Sequence, residues 1–261
     1  MRPVDQSWSP ASLFRPALIT GRTLDEFREL MAMTDIVLVH GLWADGSSWS
    51  EVIPKLHQAG HRVQAVQLPL TSVEEDITLV RQLVDRLPGP VVLAGWSYGG
   101  AVITNAAQGA ANVSALVYVA AFAPDKGENG NDVLARFPSP VAEALRQDEQ
   151  GRMWLDPDQY GPVFAADLHP SRAAVLASVQ KPAAPACFET RSGEPAWASV
   201  PSWYVVAEED RALLPAAQRW MAERMKAITT SVPASHAAPL SHPEQVAKVI
   251  DSAARSGSRT A

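Results

Sequence analysis

The sequence predicts an α/β fold: a mostly parallel central sheet with helices on both faces, and a helical cap inserted after the strand at 115–119. Three observations predict it. From Asp35 onward short apolar runs alternate with amphipathic stretches, the pattern of a parallel sheet whose crossover helices cover both faces. Val91–Gly100, Val-Val-Leu-Ala-Gly-Trp-Ser-Tyr-Gly-Gly, reads as strand, sharp turn and helix start around one serine. Between Ala120 and Val200 the alternation stops, and Phe137, Trp154, Tyr160 and Phe164 stand isolated among prolines and alanines.

In chain order, residues 1–33 read as an N-terminal extension and 34–261 as one domain, with the cap at about 125–200. Within the extension, Thr23-Leu-Asp-Glu26 forms a capping box ahead of a helical stretch, Leu24 to Met31. Met31 and Met33 stand just before the first strand, so a later translation start leaves the domain whole. Ile36 to Val39 is the first buried strand. After the loop His40–Ser47 a helix is expected over Trp49–Gln58, closed by Gly60, then a strand at Arg62–Val66. A helix over Val73–Leu87 is broken by Pro88-Gly89-Pro90 before the strand Val91–Ala94. A helix follows at Ala101–Ala107, and a strand at Ala115–Val119. A segment as long as the cap is usually functional, and this one leaves a strand end that faces the candidate site. The alternation resumes with a strand at Trp203–Ala207, a helix at Pro215–Met225, a strand at Ile228–Val232 and a helix at Pro243–Ala254; Arg255–Ala261 reads as disordered.

Composition narrows the class of function. At 261 residues and 47% hydrophobic, the chain can fill one large core. The net charge of −6 is spread without a basic block, which argues against nucleic acid or an anionic membrane as partner and points to a small-molecule substrate. One cysteine, Cys187, rules out an internal disulfide framework and fits a reducing compartment. No apolar run approaches the ~20 residues of a membrane span, and residues 1–20 lack the apolar core of a secretory signal. The expectation is a cytoplasmic protein, with the oligomeric state open.

The chemistry centres on Gly95-Trp-Ser97-Tyr-Gly99. A bare Gly-x-Ser-x-Gly match is weak, but here it follows a buried strand and opens a helix, the context in which a strained turn pushes a serine hydroxyl clear of the sheet. Serine becomes nucleophilic only when a base takes its proton, and the base needs a third group to orient it. Of six histidines, only His236 and His242 follow the later strands. His236 comes directly after the last strand and is the expected base, whereas His242 precedes Pro243 at a helix start. After the strand Trp203–Ala207, Glu208, Glu209 and Asp210 offer carboxylates in succession; Asp210 has the reach, and Asp125 is the fallback. Oxyanion donors are expected from the backbone N–H of Tyr98 and of Leu42, in the turn His40-Gly41-Leu42-Trp43. Trp43, Phe122 and Trp154 are the candidate walls of an apolar pocket.

These stretches resemble the α/β-hydrolase superfamily. The resemblance rests on Val-His-Gly-Leu-Trp-Ala-Asp-Gly-Ser-Ser-Trp at 39–49, Gly-Trp-Ser-Tyr-Gly-Gly-Ala-Val-Ile at 95–103, Val-Tyr-Val-Ala-Ala-Phe-Ala-Pro at 117–124 and Ser-His-Ala-Ala-Pro-Leu-Ser-His-Pro at 235–243. The nearer likeness is to small bacterial hydrolases that share features with plant esterases and hydroxynitrile lyases. It implies a lidded sheet, a Ser97–His236–Asp210 triad and an oxyanion hole at Leu42 and Tyr98. Two positions depart from the pattern. Trp96 stands where relatives often carry histidine, and Ala237 stands where the lyases place lysine, which argues against cyanohydrin cleavage. The resulting expectation is a serine hydrolase acting on a carboxylic ester or lactone of a small apolar molecule, needing no cofactor and no metal. A non-hydrolytic tailoring enzyme, or a ligand-binding or signalling protein on the same fold, is the alternative.

Overall fold

The computed structural model describes residues 34–257; the expected N-terminal helix at 24–31 lies outside them. Apolar, β-branched runs set the strands. β1 (Asp35–Val39), β2 (Arg62–Ala65), β3 (Val91–Trp96), β4 (Val113–Val119), β7 (Ser202–Ala207) and β8 (Ile228–Val232) form one sheet in the order β2-β1-β3-β4-β7-β8, and every pairing is parallel. The central strands β1, β3 and β7 are buried along their whole length, as strands covered on two faces must be. Helices α1 (Ile53–Gln58) and α11 (Pro243–Gly257) pack together against the sheet, and α2 (Val73–Val84) packs with α3 (Tyr98–Ala106).

Several boundaries moved for local reasons. In place of one helix over 49–58, a 3-10 turn at Gly46–Trp49 precedes α1, because Pro54 lacks an N–H and is accepted only in the first turn. The strand expected to stop at Ala94 runs on to Trp96, where Gly95 and Trp96 still pair with Tyr118 and Val119. The last helix continues to Gly257, through residues expected to be disordered, and Arg255 reaches back to Asp251 at 2.8 Å in an i,i+4 pair.

The chain leaves the sheet after Val119 and returns at Ser202. Between them lie α4 (Gly130–Arg136), α5 (Val141–Ala144), α6 (Pro157–Phe164), α7 (Pro170–Ser178) and α8 (Ala186–Glu189). An antiparallel hairpin, β5 (Leu145–Gln147) with β6 (Met153–Leu155), breaks the expected all-helical character. Its turn carries the hairpin chemistry: Asp148 Oδ1 accepts from the N–H of Gln150 (3.0 Å) and Arg152 (2.8 Å), and Gly151 takes φ +78°. Helix α9 (Pro215–Arg224) covers β7, and the short α10 (Ala238–Ser241) precedes α11. No helix among the described residues is long and apolar enough to cross a membrane.

Because the strands are parallel, the loops after β1, β3, β4, β7 and β8 leave the same edge of the sheet. They carry Leu42, Ser97, Phe122, Asp210 and His236 respectively.

Candidate active site

Ser97 sits between β3 and α3 at φ 55°, ψ −123°, a region that residues with side chains rarely occupy. The turn is held by Ser97 N–H donating to Val119 O (3.2 Å), and by Ser97 O accepting from Gly100 N (3.0 Å) and Phe122 N (3.0 Å). Its tightness explains the flanking glycine: a Cβ at Gly99 would stand 2.3 Å from Val39 O.

The structure brings the three side chains expected from sequence into one hydrogen-bonded line. His236 Nε2 is 2.8 Å from Ser97 Oγ, and His236 Nδ1 is 2.6 Å from Asp210 Oδ2. Asp210 is only 2% exposed, so its carboxylate needs internal partners. Oδ1 accepts from the N–H of Ala212 (2.7 Å) and Leu213 (2.9 Å), while Oδ2 also accepts from Gln218 Nε2 (2.7 Å). With Oδ2 accepting Nδ1–H, His236 Nε2 is left free to accept the serine proton. Trp96 donates Nε1–H to His236 O at 2.8 Å, and Phe164 packs edge-on against the His236 ring at 4.5 Å. Glu208, by contrast, pairs with Arg219, and Glu209 is exposed. Asp125 spends its side chain on the N–H of Lys126 (2.7 Å), as a turn residue does.

The turn after β1 rides directly on the serine, since a Cβ at Gly41 would lie 2.8 Å from Ser97 Cβ. Leu42 and Tyr98 border the same cavity as Ser97. Behind this turn, buried His40 is fixed as one tautomer: Nδ1–H donates to Gly41 O (2.8 Å), and Nε2 accepts from Leu68 N–H (2.9 Å). Burial lowers its pKa to about 4, which keeps it neutral. The Tyr98 hydroxyl donates to Asp76 Oδ2 (2.7 Å), and Asp76 Oδ1 takes the Leu70 N–H (3.1 Å). Burial pushes the Asp76 carboxyl upward, against these bonds.

About 380 Å³ of empty space lies over Ser97. Trp43 and Phe122 line it, together with Phe164, Phe188, Leu145 and Leu213, and among the described residues His236 is its one ionisable group apart from Tyr98. Trp154 does not line it. In the hairpin Trp154 pairs with Arg146 while Leu145 pairs with Leu155, so strand alternation sends Trp154 to the half-exposed face and gives the cavity Leu145 instead. Among the described residues no cluster of His, Cys, Asp and Glu could hold a metal ion.

Sequence reasoning missed Asp76, Gln218, Phe164 and Phe188. For the first two a pattern was present. Asp76 shares the buried stripe of α2 with Val73, Val80 and Val84, and Gln218 lies on the buried face of α9 with Ala217, Met221 and Ala222. A polar residue on an apolar stripe needs a partner.

The model of the alpha/beta hydrolase family matches residues 36–249. The chain belongs to this family. Among its relatives, Salicylic acid-binding protein 2 of Nicotiana tabacum is 28% identical over 242 residues, 80% of this chain and 93% of that protein. Methylesterase 8 of Arabidopsis thaliana is 29% identical over 220 residues, 74% of this chain and 78% of that protein. Among solved structures, a pyrethroid hydrolase from Sphingobium faniae JZ-2 superposes with a TM-score of 0.75 at 25% identity, covering 87% of this chain and 99% of that one. The alpha/beta hydrolase frame thus extends across the sheet, the serine turn and the cap.

Proposed function

We propose that this alpha/beta hydrolase cleaves a carboxylic ester or lactone of a small, apolar, uncharged molecule through an acyl-enzyme. The observation that carries the reading is the continuous Ser97–His236–Asp210 hydrogen-bonded line at the wall of an apolar cavity. Ser97 Oγ attacks the carbonyl carbon as its proton passes to His236 Nε2, and Asp210 orients the ring and stabilises its positive charge. The Leu42 and Tyr98 amides receive the oxyanion. His236 then gives the proton to the leaving alkoxide, and water, activated by the same histidine, releases the acid from Ser97.

The choice of ester follows from the surroundings. Among the described residues no Lys or Arg borders the cavity, so a free carboxylate on the substrate would lose its hydration without gaining a counter-charge. Ala237, 1% exposed, supplies no cation after the histidine, which supports hydrolysis over cyanohydrin cleavage. The names of the relatives, methylesterase and pyrethroid hydrolase, point to the same bond type.

Turnover of p-nitrophenyl acetate and butyrate tests the activity, and labelling with a fluorophosphonate tests the nucleophile. The expected result is hydrolysis abolished in a folded Ser97→Ala variant and one adduct on Ser97. An adduct on another serine, or hydrolysis surviving in Ser97→Ala, would overturn the assignment.

A further inference from the structure

The space over Ser97 has a neighbour. Beside Tyr98, Phe122 and Phe188 lies a second compartment, whose wall is continued by Val73, Ala101 and Cys187. Tyr98, Phe122 and Phe188 line both spaces and form the partition between them. Resting on the ester-hydrolase reading above, we propose that the second compartment seats the acyl arm of the substrate, and that this arm is a hydrocarbon chain long enough to pass the partition.

Direction follows from the chemistry at the carbonyl. The leaving oxygen has to lie beside His236 Nε2 to receive its proton, and His236 borders only the space over Ser97. Tyr98, whose amide is assigned to the carbonyl oxygen, borders both. The arm that points away from His236 and past Tyr98 is therefore the acyl arm. The Tyr98 ring is tied to Asp76 through its hydroxyl, so the passage for the arm runs over Phe122 and Phe188.

The hydrocarbon character follows from how the polar groups on that wall are used. Asn105 donates to Ala101 O (2.9 Å) and Ser192 Oγ (3.1 Å) and accepts from Gly193 N (2.9 Å). Glu128 pairs with Arg224 (2.8 Å) and takes the Asp125 N–H (2.9 Å). Asn129 accepts from Asp132 N (3.0 Å) and donates to Glu189 O (2.8 Å). Burial pushes the Cys187 thiol up to about 12, so it stays neutral. With these polar side chains already engaged by protein, the compartment offers an arm mainly contact area, and that rewards CH₂ groups. Ala101, one turn beyond Ser97 on α3, leaves the room for them.

The test compares kcat/KM for p-nitrophenyl octanoate and acetate in the parent enzyme, Ala101→Leu and Val73→Ala; neither substituted residue borders the space over Ser97. Circular dichroism establishes that each variant is folded, and Val73→Ala decides alone where Ala101→Leu does not fold. Filling the compartment through Ala101→Leu should lower the octanoate-to-acetate ratio by about tenfold or more, with acetate turnover unchanged. Val73→Ala should raise the ratio by about twofold or more. A ratio that stays fixed in the folded variants overturns the seat and leaves the esterase reading standing. So does an equal fall for both esters, which would make the compartment a way in. Failure of the parent enzyme to turn over acetate at all would remove the esterase reading and the seat with it.

Discussion

Gln218 Nε2 donates at 2.7 Å to the same Asp210 oxygen that faces His236 Nδ1. Gln218 is fully buried, and its other bonds go to Leu213 O (2.7 Å) and, through Oε1, from Ala207 N–H (2.9 Å). It therefore ties the Asp210 carboxylate to the end of β7 and to the loop at Leu213.

Two variants separate the acid from its support. Asp210→Asn should lower kcat by about 10⁴, the scale seen when a triad carboxylate is lost. Gln218→Met keeps the volume but leaves Ala207 N–H and one Asp210 lone pair unmatched. The expected outcome is a fall in kcat of about tenfold with KM little changed, beside a loss of about 1–3 kcal/mol in stability. Glu209→Gln, at an exposed position, should leave kcat within about twofold, since surface substitutions away from such features are close to neutral. Steady-state kinetics with p-nitrophenyl butyrate reads all three, and a severe loss in the glutamate variant would move the role of acid to Glu209.

The serine turn can be tested through its backbone. A methyl group at Gly99 would meet Val39 O at 2.3 Å and His40 O at 2.8 Å, both backbone atoms that end β1. Gly99→Ala should lose at least about 1–3 kcal/mol through overpacking, and turnover with it, because relief requires parting the serine turn from the Leu42 turn. Gly161→Ala, in α6 with its nearest added contact at 3.6 Å, should hold or raise the melting temperature. Thermal melts of both variants check the contrast.

His40 makes stability depend on pH. Its folded pKa is depressed to about 4 from 6.5 by burial, so between those values the unfolded chain binds a proton that the folded one refuses. The stabilisation is complete above pH 6.5 and is lost as pH falls toward 4, by about 3 kcal/mol in all. Urea titrations at pH 7 and pH 5 on the parent and on His40→Gln check this. The variant should lose about 2 kcal/mol less over that interval, and equal losses would exclude His40 as the group responsible.

How much of this was legible in sequence depends on the range of the constraint. Ser97 and its glycines announce themselves within five residues, because the turn is a local backbone problem. His236 and Asp210 could be placed because parallel strands deliver their loops to one edge. The partners that hold them could not. Gln218 reaches Asp210, and Asp76 reaches Tyr98, across intervals that only the packed fold defines. In the cap, isolated aromatics read alike in sequence. The hairpin turned Trp154 outward, and helix α6 turned Phe164 onto His236.

The cap also grips the loop that carries His236, and this gives the last prediction. Asp167, between α6 and α7, accepts the Ser235 N–H at Oδ2 (3.0 Å) and the Ser235 hydroxyl at Oδ1. The Ser235 oxygen in turn accepts the Ala237 N–H (3.2 Å), so both neighbours of His236 depend on this one carboxylate. His242 Nδ1 stands 3.6 Å from the same group. Burial favours the protonated acid, yet the hydrogen bonds from Ser235 and Ser241 outweigh it and hold the Asp167 carboxyl below the usual range. Asp167→Ala leaves the Ser235 N–H, in a residue 1% exposed, without its acceptor, which costs about 1–3 kcal/mol. If the carboxylate also fixes where His236 points, kcat should fall about tenfold while KM stays near its parent value, since small displacements of a positioned group act on the transition state. Asp167→Asn keeps one oxygen for Ser235 and should recover most of that loss. Kinetics and thermal melts on both variants decide between the two roles. A lowered melting temperature with unchanged kcat in Asp167→Ala would make Asp167 a fastener of the cap alone, with no part in setting the histidine.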